Sequence, residues 1–391
     1  MSTGQNTSPS ISVTTSKDSL FSNKALWVKG PLFDLLFVTG GAFFTLLVAA
    51  VSFQFPQFLP VFLWIWFVCF EGSHFWATYS RTYIDNKFRS ENKLLLTFSL
   101  LFFVFPLAAG FADQVQTKFN YMTMYAFFIF VWSLYHNARQ HFGFLSIYTG
   151  KAKIEMEDKA KLTKALYFSV GAAQAYFLLN FKLQAVFGLR SAELANANLG
   201  FLVHELPMII SLASMAYLIN LAFNFWSKYG AKSFVSLHYT AVCWIFYSAM
   251  FYGIAPIDKL FQNTSGAETL MLIAIMNSLF HNIQYHAIVW YYGSRRYTKA
   301  EKSEDFGMAK LVNYKLLNYA GFSLILGALF AWTAWKVGDW PMANGSWEYT
   351  SGSLWAYVMF YGVIGHHFYL DQKIWRPSKQ KELKTYLESS N

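Results

Sequence analysis

The sequence predicts an all-α fold, a polytopic membrane helix bundle of about ten transmembrane helices. Three observations predict it. The chain is 55% hydrophobic and 20% aromatic but only 13% charged, where a soluble domain carries roughly 25% charged residues. Apolar runs of membrane-spanning length recur along the whole chain. The basic residues fall in blocks between those runs, on alternate sides.

Residues 1–30 are rich in Ser, Thr and Asn and hold Lys17, Lys24 and Lys29. They lack the apolar core of a cleavable signal peptide and are expected to form a disordered cytoplasmic tail. The transmembrane domain is expected over 31–372, with helices at 31–53, 58–80, 94–112, 121–148, 164–181, 206–226, 233–254, 269–292, 316–336 and 354–372. Pro31, Pro56, Pro60, Pro207 and Pro256 stand near helix ends, where proline does least harm. Pro106 lies inside the third helix and is expected to kink it. Residues 373–391 are expected to form a basic cytoplasmic tail.

Of the 31 Lys and Arg, 25 fall in the N-terminal tail and in the segments after even-numbered helices. Lys118, Lys182, Arg190, Lys259 and Lys336 are left to the other side, and Arg139 sits within a helix. The positive-inside rule then puts both termini in the cytoplasm, in the inner membrane if the source is bacterial. The net charge of +10 is spent on this topology and does not indicate a nucleic-acid partner. Cys69 and Cys243 lie within apolar runs and imply no disulfide framework.

Nine histidines interrupt this apolar chain. His204 is expected at the outer side. The other eight, His74, His136, His141, His238, His281, His286, His366 and His367, lie near the cytoplasmic ends of five helices. Two stretches share a spelling, SLYHNARQH over 133–141 and SLFHNIQYH over 278–286. Polar side chains within a membrane are costly unless partnered, and imidazole is a common metal ligand. A metal centre accounts for all eight at once. Glu71, Asn137, Arg139, Gln140, Asn282, Gln284 and Asp371 share the level as further ligands or orienting groups. Glu71 and His74, three apart, share a helix face, as do His367 and Asp371, four apart. Arg139 is expected to pair with one of the two carboxylates in preference to an anionic lipid head group.

Histidines five apart point roughly 140° away from each other on a regular helix. Three readings stay open for each such pair. The two histidines flank two metals, a π-bulge brings one into line, or one of them hydrogen-bonds instead of ligating.

The spacing of His136/His141 and of His281/His286, both His-x4-His, and the paired His366-His367 resemble the membrane histidine-box enzymes, the fatty-acid desaturase and hydroxylase superfamily. A fainter likeness is to the bacterial membrane carotene-cleaving oxygenases. The first resemblance implies two iron ions at the cytosolic face that activate dioxygen; zinc and haem stand as alternatives apart from it. It implies a lipid, acyl or isoprenoid substrate from the bilayer. With no flavin, haem-peptide or Fe–S motif in the chain, electrons are expected from a cytoplasmic donor. Two other classes compete: a metal-ion or proton transporter using the histidines as a relay, and a haem-binding electron carrier.

Overall fold

The computed structural model describes residues 23–115, 120–182, 200–254, 266–299, 305–336, 354–376 and 381–388. Residues 1–22 of the tail expected over 1–30, together with Lys118, Arg190, Pro256 and Lys259, lie outside them. The described residues are almost all helical, joined by short turns, without a strand. Each of the ten expected segments is a helix: α1 (Pro31–Gln54), α2 (Pro56–Arg81), α3 (Lys93–Val115), α4 (Tyr121–Lys151), α5 (Met156–Phe177), α6 (Leu206–Tyr229), α7 (Phe234–Ser248), α8 (Gly266–Lys299), α9 (Leu316–Lys336) and α10 (Leu354–Ile374). A further helix, α11 (Lys381–Glu388), follows them.

Among the described residues, five segments are long and apolar enough to cross a membrane: Pro31–Gln54, Pro56–Arg81, Lys93–Val115, Phe201–Ile254 and Leu316–Thr333. The fourth turns back at Gly230, whose φ of +57° lies in the left-handed region open to glycine. It therefore comprises both α6 and α7. Side chains such as Phe43, Phe223, Ile325 and Leu317 stand exposed on the outside of the bundle. In water such a surface would be an association hazard, whereas hydrocarbon solvates it.

Proline and π-turns shape individual helices. Pro106 has no N–H for the carbonyl of Phe102, four residues back, and that oxygen accepts from the Tyr125 hydroxyl at 3.4 Å. Helix α2 contains a π-helical turn at Trp66–Glu71, and the Ser73 hydroxyl donates to the Cys69 carbonyl at 2.6 Å beside it. At this turn α9 comes very close. A Cβ on Gly327 would meet the Val68 carbonyl oxygen at 1.9 Å, and one on Gly72 would meet the Gly327 Cα at 2.9 Å. Small residues of this kind let membrane helices approach backbone to backbone.

The bundle is knit by pairs distant in sequence: α10 along α3, α9 along α2, α8 along α1, and α5 against α6 and α7. Residues 23–30, expected in the tail, pack against it. Trp27 and Val28 are buried, and Asp34 accepts from the backbone N–H of Val28 at 2.6 Å and of Lys29 at 3.1 Å, and from the Tyr148 hydroxyl at 2.9 Å. At the other end Leu383 and Leu387 of α11 are buried, and Glu382 lies 3.4 Å from Arg296 and 3.2 Å from Lys87.

Candidate metal centre

Four helices each contribute one histidine to a common point: His74 from α2, His136 from α4, His281 from α8 and His367 from α10. One candidate ligand atom from each lies within 4.8 Å of all the others. None of the four residues is more than 4% exposed. His74 Nε2 and His281 Nε2 face each other at 3.1 Å. His136 Nε2 and His367 Nε2 have no hydrogen-bond partner, nor do the Nδ1 atoms of His74 and His281.

These residues fit a transition-metal ion. A metal–imidazole bond is about 2.0–2.1 Å, so two nitrogens on one ion stand at most about 4.2 Å apart. A small inward movement of the outermost donor closes the set. A buried nitrogen left without a partner costs on the order of 1–3 kcal/mol, and a cation would satisfy several at once. Imidazole suits iron, zinc, copper and nickel alike. The donor group could therefore hold a metal ion without specifying which. Among the described residues no second group of His, Cys, Asp or Glu closes in this way.

The orientation of His367 follows from its neighbours. Asp371 Oδ1 accepts from the Thr78 hydroxyl at 2.7 Å and from the Tyr285 hydroxyl at 2.6 Å. With its single proton committed there, Thr78 Oγ1 is left to accept, and His367 Nδ1–H donates to it at 2.7 Å. Neutral His367 then carries its lone pair on Nε2, the atom that faces the cluster. Asp371 Oδ2 lies 3.6 Å from His367 Nε2 and 3.9 Å from His136 Nε2. These gaps are too long for hydrogen bonds, and they put a carboxylate oxygen at the edge of the donor set.

The other four candidate histidines lie apart from this point. His141 is held between two tyrosines, with Tyr239 at 2.8 Å from Nδ1 and Tyr247 at 3.0 Å from Nε2. His286 bonds Tyr319 at 2.8 Å and Ser73 at 2.9 Å. His366 bonds Tyr79 at 3.0 Å and Ser99 at 2.7 Å, with Tyr83 at 3.1 Å. His238 stacks on Phe234 with ring centroids 5.7 Å apart. His204 falls in a π-helical turn, Phe201–Glu205, before α6.

The accompanying polar residues divide similarly. Glu71 Oε2 accepts from Asn282 Nδ2 at 2.7 Å, which ties α2 to α8. Gln140 Nε2 donates to the His281 carbonyl at 2.8 Å and to Gln284 at 3.1 Å. Asn137 Nδ2 donates to the Asn277 carbonyl at 3.0 Å. Arg139 corrects an expectation: it pairs with neither Glu71 nor Asp371. It lies on the exposed face of α4, donating to the Tyr167 hydroxyl at 2.8 Å, because its position on the helix turns away from the bundle axis.

Thr78 and Tyr285 are the residues bordering the candidate site that sequence reasoning missed. A signal for them exists. Thr78, Gln140, Tyr285 and Asp371 each follow a clustered histidine by four residues, the spacing that stacks side chains on one helix face. Comparison with family models, curated proteins and solved structures finds no match for this chain.

Proposed function

We propose that this chain is an integral membrane oxidoreductase in which His74, His136, His281 and His367 hold a redox-active metal ion, iron, beside a lipid or isoprenoid substrate. The convergence of four buried histidines from four helices carries the reading. The donor group supports one ion rather than the two that the histidine count suggests, since His141, His286 and His366 already have hydrogen-bond partners at both ring nitrogens. An iron ion bound there would supply oxygen activation. The protein's part is to exclude water, to fix His367 through Thr78 and Asp371, and to admit an apolar molecule.

A lipid-type substrate is favoured by a groove beside the site. It measures about 740 Å³ and is walled almost wholly by apolar atoms, with Phe102, Phe105, Tyr125, Phe128 and Trp132 among its residues. Trp132 touches Phe368, ring centroids 5.7 Å apart, and Phe368 stacks on His136 at 4.6 Å. One aromatic ring thus separates the groove from a proposed ligand. The positive-inside pattern favours a centre toward the cytoplasm, where an electron donor would dock.

Elemental analysis and an absorption spectrum of the purified, detergent-solubilised protein test this. About one iron per chain without a Soret band is expected, with loss of metal in His281→Ala and His367→Ala. Zinc alone after expression in iron-supplemented medium would replace the oxidoreductase reading with a structural or hydrolytic site. A Soret band would make the protein a haem carrier. Absence of any metal would overturn the centre itself.

A further inference from the structure

We infer that Tyr285 is a redox-active tyrosine that delivers one electron to the metal centre and its proton to Asp371, with Trp375 as the next electron source. The inference rests on the metal reading above, and its chemistry comes from four observations. The Tyr285 ring stands edge-on to His74, centroids 4.5 Å apart. Its hydroxyl donates to Asp371 Oδ1 at 2.6 Å, so the proton has an acceptor in place when the electron leaves. Its hydroxyl oxygen accepts from the Trp375 indole N–H at 3.3 Å, and the two rings lie 5.9 Å apart. Tyr285 is 1% exposed, whereas Trp375 is only half-buried, just past the end of α10.

With peroxide as oxidant the step balances. The O–O bond of hydrogen peroxide breaks, and two electrons and two protons from solvent convert it to two waters. Tyr285 supplies one electron, and a ferrous ion held by the four histidines would supply the other. The phenolic proton moves to the Asp371 carboxylate, leaving a neutral tyrosyl radical. Trp375 then passes an electron to Tyr285, the proton returns from Asp371, and a thiolate from the aqueous phase reduces Trp375 and becomes a thiyl radical. The Arg81 guanidinium sits 3.9 Å over the Trp375 ring. Its positive charge opposes a positive hole there, so the radical rests on Tyr285.

The inference predicts a spectroscopic signature independent of turnover. Full-length protein loaded anaerobically with ferrous ion is mixed with hydrogen peroxide and freeze-quenched for EPR, with ring-deuterated tyrosine to identify the radical. Wild type should show a tyrosyl signal, and Tyr285→Phe should lose it while keeping its iron. Trp375→Phe should prolong the signal several-fold and make its decay insensitive to added thiol. An iron-loaded wild type without a tyrosyl signal, or an undiminished signal in Tyr285→Phe, would overturn the inference and leave the metal centre standing. A wild type that binds no iron would remove both.

Discussion

Gly327→Ala is a distant substitution that should disturb the metal centre. The added methyl carbon would lie 1.9 Å from the Val68 carbonyl oxygen and 2.9 Å from its carbonyl carbon. Both are backbone atoms, so no side-chain rotation relieves the contact. Reaching ordinary van der Waals separation near 3.4 Å requires α9 and α2 to part by about 1.5 Å. The contact lies on the π-turn of α2, six residues before His74, and the added carbon also stands 3.2 Å from the Ser73 nitrogen. Metal–ligand distances tolerate changes of about ±0.2 Å, so transmission of even a third of the movement, ~0.5 Å, exceeds that tolerance. Overpacking of this kind costs about 1–3 kcal/mol. The matching fall in metal affinity is expected to be at least ~10-fold, as when a ligand loses its orienting contact. Thermal unfolding in detergent and metal content after dialysis against a weak chelator read the two effects separately. Gly321→Ala is the control: it lies on the same helix, and nothing stands within 4 Å of its added carbon. Wild-type unfolding and wild-type metal in Gly327→Ala would refute the argument. Lower stability with full metal retention would confine the glycine contact to packing.

Three further outcomes follow from the same geometry. His141→Ala and His286→Ala should retain metal but lose on the order of 2 kcal/mol of stability by stranding the tyrosines that bond them; metal loss in both would return those residues to the ligand set. Thr78→Val, which removes the acceptor for His367 Nδ1–H, should weaken metal binding about 10–100-fold without emptying the membrane fraction, and unchanged affinity would dissolve the tautomer assignment. Outside the apolar segments, hydrogen bonds from Lys228, Tyr229 and Lys161 hold the Asp158 carboxyl below the usual carboxylate range. Such a group stabilises the fold fully above its unfolded pKa of about 3.9 and loses that contribution as pH falls further. The gap in unfolding temperature between wild type and Asp158→Asn should therefore be present at neutral pH and close under acid; a gap that widens on acidification would reverse the assignment.

Helix positions were legible because hydrophobic runs, prolines and basic blocks all mark the same boundaries. The inner ring of the site was legible only in part, and the helix geometry explains which part. Helix α4 runs as regular α-helix from Tyr121 to Lys151, so His136 and His141 diverge by roughly 140°. One faces the bundle axis and the other faces α7, where Tyr239 and Tyr247 receive it. His281 and His286 on α8 separate in the same manner. Adjacent His366 and His367 are about 100° apart, and only the second turns inward. A π-turn does occur beside the site, but it lies in α2, directly before His74. Counting histidines at one depth therefore overstates the ligand set: depth along the axis was available from sequence, while rotation about it needed each helix's neighbours. The residues four positions after the clustered histidines carry the missing information. Thr78, Tyr285 and Asp371 meet one another at a single oxygen, and Gln140 reaches the backbone of His281. A histidine followed one turn later by a polar side chain presents two polar groups on one face, and in an apolar helix such a face must be turned toward a partner. That face is shared by the four helices whose histidines converge. His141, His286 and His366 are followed at the same distance by Leu145, Trp290 and Leu370, and their partners come from neighbouring helices instead.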